Sequence, residues 1–173
     1  APYFTRELTV TDLVFLIGPR LNAAGRIESG RNSVKLLVCS DLEEARTIGL
    51  QIDSYNKERK NLDTTATEQA LAMIGSDLAL RDARSTVIFH ADWHKGVIGI
   101  VASRLTESYY RPTIVLTEAH GLITGSARSV KDFDIYDAID SCSHLLLHFG
   151  GHKFAAGLSL KPENLEPFRK SFE

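Results

Sequence analysis

Apolar positions along the chain follow two regimes. Over the first forty residues they form short patches. Leu13 to Ile17 is followed by a turn at Gly18-Pro19, the small-residue segment Arg20-Leu21-Asn22-Ala23-Ala24-Gly25-Arg26, and a brief helix from Ser33 to Val38. From Asp41 the spacing changes. Apolar residues recur at Ala45, Ile48, Ile52, Tyr55, Leu62, Ala66 and Met73, interrupted by Arg59 and Gln69, and no proline occurs before Pro112. Asp41 reads as an N-cap with Glu44 as its capping-box partner. The pattern predicts one long helix to Ile74, about 51 Å at roughly 1.5 Å per residue, suited to connecting two domains. Two helices broken near Asn61 are the alternative. After Gly75 the elements alternate: strand 86–90, helix 96–109, strands 112–117 and 122–127, helix 135–148, strand 157–160, and a tail helix from Asn164. The expected fold is α/β, a small mixed sheet flanked by helices and preceded by the long connecting helix.

Composition narrows the function classes. The chain has 173 residues, enough for one well-buried core, and its 20 Lys+Arg against 22 Asp+Glu give a formal net charge of −2. A nucleic acid would be held by local cationic sites rather than a blanket field. The first forty residues carry five basic groups (Arg6, Arg20, Arg26, Arg31, Lys35) against three acids, whereas the long helix carries seven acids against four bases and reads as a solvated face. No apolar run approaches the roughly 20 residues of a membrane-spanning helix. Two separated cysteines, Cys39 and Cys142, exclude a disulfide scaffold and point to a reducing, cytoplasmic setting. A first residue Ala1, a lone Met73 and a tail helix without a stop signal read as a piece of a longer protein.

Four segments could carry chemistry. In Phe89 to Leu105 a strand ends at a polar turn holding Trp93, His94 and Lys95, and a helix opens at Gly96, whose free amides and dipole favour an anion. Trp93 either offers a face to a base or packs as core. In Gly121 to Ser129, Gly125 would let a ligand approach the backbone, Ser126 and Ser129 supply hydroxyls, and Arg128 supplies a planar fork for phosphate oxygens; a solvated arginine on an edge strand is the alternative. In Phe149 to Gly157, Gly150 and Gly151 could form an anion nest with His152 as a donor, or simply cap a helix. The segment Asn22 to Arg26 adds two polar groups among small residues. A zinc reading of Cys142, His144, His148 and His152 is disfavoured because Gly150-Gly151 should break any shared helical face. Asp132, Asp134, Asp137 and Asp140 sit at a predicted helix start, where acids cap. No two-metal carboxylate cluster, nucleophile elbow, Walker loop or dinucleotide fingerprint is present.

Taken in order, Gly18-Pro19-Arg20-Leu21-Asn22-Ala23-Ala24-Gly25-Arg26, Trp93-His94-Lys95-Gly96-Val97-Ile98-Gly99-Ile100-Val101-Ala102-Ser103-Arg104-Leu105, Gly125-Ser126-Ala127-Arg128-Ser129 and Phe149-Gly150-Gly151-His152 with Ala155-Ala156-Gly157 resemble the RecJ family of single-strand-specific exonucleases. That family belongs to the DHH phosphoesterase superfamily, and the resemblance runs from about Val10 to the C-terminus. It implies 5′-to-3′ hydrolysis of single-stranded DNA in recombination and repair. The implied metal is Mn or Mg, held by an Asp-His-His domain that this chain lacks, so no metal ligands and no activity are expected in the chain itself. Residues 1–40 would be the end of the catalytic domain's linker region, 41–75 the connecting helix, and 84–173 the DHH-associated substrate-binding domain. The resemblance places substrate contacts at Asn22, Arg26, Trp93, His94, Ser126, Arg128, Gly150, Gly151 and His152, with His152 at the scissile phosphate in a supporting catalytic role. Single-stranded DNA is the implied partner and single-strand-binding protein a further candidate. Phe149 leaves only two glycines before the histidine, which fits the RecJ branch better than the short-oligonucleotide branch. Two other readings are an oligoribonuclease or bisphosphonucleotide phosphatase of the same superfamily, and a non-catalytic nucleic-acid-binding module.

Overall fold

The computed structural model describes residues 7–173, which fall into two compact units divided between Asn61 and Leu62. Arg6, counted above among the basic groups, lies outside the described residues. In the first unit a capping box of Thr9 and Asp12 opens α1 (Val10–Asp12), which runs through a π-turn (Leu13–Ile17) into α2 (Gly18–Ile27) and then α3 (Arg31–Val38). The expected turn at Gly18-Pro19 is therefore corrected: both residues lie in the first turn of α2. Proline is tolerated there because its missing N–H has no partner to lose. Ala23 and Ala24 are fully buried, and Ala24 packs with Ile48 and Ile52 of α4 (Leu42–Ser76). Arg20 Nε donates to Asp53 Oδ1 at 2.7 Å.

Asp41 caps α4 as expected, its Oδ1 accepting the Glu44 amide at 2.7 Å. The helix has 35 residues and is not broken near Asn61. Gln69, which interrupts the apolar spacing, accepts a hydrogen bond from Trp93 Nε1 at 2.7 Å. Asp63, fully buried, pairs with Arg104 Nη2 at 2.6 Å. A buried carboxylate requires such a partner, so this motif arginine, itself partly exposed, is engaged by the fold.

The second unit is α/β. After α5 (Leu78–Asp82), capped by Asp77 and not expected from sequence, come β1 (Thr86–Phe89), α6 (Ile98–Tyr109), β2 (Thr113–Ala119) and β3 (Leu122–Arg128). Then follow α7 (Ile135–Asp140), a 3-10 turn (Ser143–Leu145), β4 (His148–His152), β5 (Ala155–Leu160), a second 3-10 turn (Pro162–Asn164) and α8 (Leu165–Phe172). The sheet order is β1-β2-β3-β5-β4, with β1 and β2 parallel and every other pair antiparallel. The expected helix 135–148 is corrected to α7 plus a 3-10 turn. Cys142 drops into the core, and from His148 the chain alternates, Phe149 turning toward the core and its neighbours toward solvent. Strand β5 also begins two residues earlier than expected, which pairs Ala155 with His152. Asp134 caps α7 through the amides of Tyr136 and Asp137.

One sheet face is greasy: Val87, Ile114, Leu116, Ile123, Leu158 and Leu160 pack against Ile135 and Ile139 of α7 and Phe168 of α8. On the other face Ile88 and Val115 are covered by Ala66, Ala70, Ile74, Val101 and Leu105 from α4 and α6. Buried Arg111 ties β2's start to α5, donating to Thr86 Oγ1 at 2.7 Å and to the carbonyls of Leu80, Arg81 and Ala83. Glu173 closes the same corner by accepting from the Arg84 amide and from the Ser85 amide and hydroxyl. Burial works to raise its pKa, but these hydrogen bonds and the Arg111 charge hold the carboxyl below the usual range.

A lowered folded-state pKa gives stability that is present above the unfolded value and lost as pH falls through the folded one. The Tm difference between wild type and Glu173→Gln should therefore be present near neutral pH and close on acidification. A difference that does not shrink as the pH falls below the usual carboxylate range would contradict this.

Candidate nucleic-acid interface

The strand register defines three rows on the half-covered face. His152 pairs with Ala155, and Ala155 with Arg128; Gly150 with Gly157, and Gly157 with Ser126; His148 with Ser159, and Ser159 with Thr124. Directly paired residues share a face, so these nine positions form one patch across β3, β5 and β4. Every one is at least partly exposed, and none is acidic. Its floor, Gly150 and Gly157, carries no side chain. Alternate rows are spaced about 7 Å apart along the strands, so the patch is about 13 Å long.

Arg128 stands at one end, half-buried. Its Nη1 donates to Ser126 Oγ at 3.0 Å and to the Ala127 carbonyl at 2.7 Å. The first turn of α6 meets this pair, because a Cβ on Gly99 would lie 2.9 Å from both Arg128 Nη2 and Ser126 Oγ. A planar fork and a hydroxyl thus converge near a helix N-terminus, three groups that each favour a phosphate oxygen.

Two histidines, His152 exposed and His94 half-buried, have one ring nitrogen engaged by their own loop. His152 Nδ1 accepts the Phe154 amide at 3.2 Å, and His94 Nδ1 accepts the Gly96 amide at 3.1 Å. With Nδ1 accepting, the neutral ring carries its proton on Nε2 and presents an N–H outward. A ring in this tautomer can donate to an oxyanion. The loop carrying His94 is fixed by Thr117, whose Oγ1 donates to the carbonyls of Ala91 and Trp93. Sequence reasoning missed Thr117 and Gly99. The polar residue late in an apolar strand and the second glycine of the helix start were the available signals.

Several expectations are corrected. Trp93 is 5% exposed, packs with Ala66, Ala70 and Ile98, and stacks on His90, so its ring is not a platform for a base. Gly125 does not admit a ligand. It lies on the greasy face, where a Cβ would meet Leu116 Cδ2 at 2.5 Å. Gly150 and Gly151 run in an extended strand, where successive amides point in opposite directions and do not converge as a nest. Arg128 lies on β3, a central strand, and not on an edge. Asn22 and Arg26 belong to the first unit, where they sit one helical turn apart on the exposed side of α2, away from buried Ala23 and Ala24.

Among the described residues no group of three or more His, Cys, Asp or Glu stands together as a metal site. The donor set of the described residues does not fit a catalytic divalent metal. No described helix is long and apolar enough to cross a membrane. A cavity of about 600 Å³ lined by Met73, Leu80, Val87, Ile88 and Arg169 contains none of the motif residues.

Comparison with known proteins gives the family. The DHHA1 domain matches residues 82–173. The single-stranded-DNA-specific exonuclease RecJ of Bacillus subtilis is 41% identical over 90% of this chain and 20% of its own length. That of Escherichia coli is 37% identical over 96% of this chain and 30% of its own. This chain thus spans less than a third of the curated relatives it matches. The crystal structure of RecJ from Thermus thermophilus in complex with Mg2+ superposes with a TM-score of 0.84 at 30% identity, over 94% of this chain and 25% of that one. The same protein in complex with Mn2+ also gives 0.84. By the domain match and these relatives, the chain belongs to the DHHA1-domain family, in the form carried by RecJ proteins.

Proposed function

We propose that this chain is the substrate-holding part of a RecJ-type exonuclease that hydrolyses single-stranded DNA from the 5′ end in the cytoplasm, during recombination and repair. Within it, residues 84–173 form the substrate-binding domain, 41–75 the connecting helix and 1–40 the end of the catalytic domain's linker region. The observation that carries the reading is the acid-free face bearing Arg128, Ser126 and His152, in a protein whose net charge is otherwise slightly negative. Arg128 and Ser126 grip one phosphate, and the Nε2–H groups of His152 and His94 donate to phosphate oxygens. The bare floor at Gly150 and Gly157 lets the sugar-phosphate chain lie against the sheet. Asn22 and Arg26 contribute further polar contacts from α2.

In the parent enzyme a divalent metal, Mn or Mg as in the RecJ structures from Thermus thermophilus, would supply the hydrolytic chemistry. This chain's residues orient the strand and neutralise its charge, with His152 donating at the scissile phosphate. Single-strand-binding protein is a candidate partner of the parent.

The purified 173-residue chain with manganese and a labelled oligo-dT should bind with a dissociation constant of about 10–100 µM and release no product. An oligoribonucleotide arm tests the choice of DNA. Metal-dependent cleavage by the chain would overturn the division of labour, and tighter binding of RNA dimers than of DNA would favour an oligoribonuclease.

A further inference from the structure

We infer that Gly99 is a positioning residue: the space left by its missing side chain is where the Arg128 guanidinium and the Ser126 hydroxyl are held for a phosphate. The inference rests on Arg128 being the phosphate contact. Gly99 lies in the first turn of α6, a 12-residue helix, and is buried. It is not among the residues with positive φ, so its backbone does not require glycine. The requirement is spatial. A Cβ there would stand 2.9 Å from Arg128 Nη2, 2.9 Å from Ser126 Oγ and 3.6 Å from Ser126 Cβ.

The guanidinium and the helix end favour the same ligand charge. A guanidinium is kept beside the positive end of a helix dipole. Both groups direct positive potential at the same region, and an anion bound there meets both. Hydrogen bonds to Ser126 Oγ at 3.0 Å and the Ala127 carbonyl at 2.7 Å add to the hold on the guanidinium. The arginine is thereby ordered before substrate arrives, which removes the cost of immobilising a long side chain on binding.

The substitution that tests this separates stability from binding. In Gly99→Ala the atoms that must yield are the far end of a flexible arginine and a rotatable hydroxyl, while alanine is the better helix former. The melting temperature of the 173-residue chain should therefore be unchanged or slightly raised. Its affinity for oligo-dT should fall about tenfold, and the dependence of log K on log salt should become shallower by up to roughly 0.7. The double variant Gly99→Ala/Arg128→Ala should bind no more weakly than Arg128→Ala alone.

A Gly99→Ala chain that binds as wild type overturns the inference, as does one that loses more than about 10 °C in Tm. An equal further loss in the Arg128→Ala background overturns it as well. If Arg128→Ala itself binds as wild type, the phosphate reading of Arg128 falls with it; if only Gly99→Ala is silent, that reading stands.

Discussion

Gly151→Ala is expected to detach the outer strand of the sheet, lower stability by about 3 kcal/mol or more and weaken oligo-dT binding about a hundredfold or more. Gly151 has φ +154°, a conformation that residues with a side chain rarely adopt. Its Cβ would stand 2.3 Å from the Ala155 carbonyl oxygen and 2.5 Å from Ala156 Cα. Both are backbone atoms of the paired strand β5, so relief requires β4 to move away from it. Strand β4 is at the sheet's edge and can open while the rest of the core holds. It carries His148, Gly150 and His152, one flank of the proposed substrate face. Gly150→Ala is the control: nothing lies within 4 Å of its Cβ position, and the chain should melt as wild type. Thermal melts, amide exchange in β4 and anisotropy titrations read all three effects. A Gly151→Ala chain with wild-type Tm and protected β4 amides would contradict the account.

Much of this was legible in the sequence because it depends on local pattern. The period of Ile48, Ile52 and Ala66 marks one side of a helix whatever surrounds it. The N-caps at Asp41 and Asp134 follow from side-chain reach alone. The sheet's buried strands read correctly because Val87, Ile114 and Leu116 sit in short apolar runs. Strand β4 did not, since Leu145-Leu146-Leu147 after α7 continue a helix-like apolar run, and the alternation that betrays a strand begins only at His148. Pro19 also misled: proline ends a helix from inside yet suits its first turn, and only tertiary packing of Ala23 and Ala24 distinguishes the two.

For the site, residue types were readable but their facing was not. Gly125 and Ser126 are adjacent in sequence and lie on opposite faces of β3. Trp93 looks like a base platform until Gln69, 24 residues away, is seen to take its indole N–H. Gly99 looks like an ordinary helix glycine until Arg128 is found against it. Such contacts join residues far apart in the chain, and no spacing rule encodes them.

Arg128→Ala is expected to weaken oligo-dT binding about thirtyfold with little change in Tm. The guanidinium is half-buried on the open sheet face, and its hydrogen bonds to Ser126 Oγ and the Ala127 carbonyl stay within β3, so its loss opens no core cavity. A charge-assisted, fork-shaped contact to phosphate is stronger than a neutral hydrogen bond, and removing it leaves a phosphate near a helix N-terminus without its counter-charge.

The direct test is the salt dependence of binding, because each phosphate neutralised contributes about −0.7 to the slope of log K against log salt for a single strand. Titrations of oligo-dT binding across about 50–200 mM salt should give a slope shallower by about 0.7 in Arg128→Ala than in wild type. Equal slopes in the two chains would show that Arg128 meets no phosphate, and the open sheet face would then not be where this protein holds its strand.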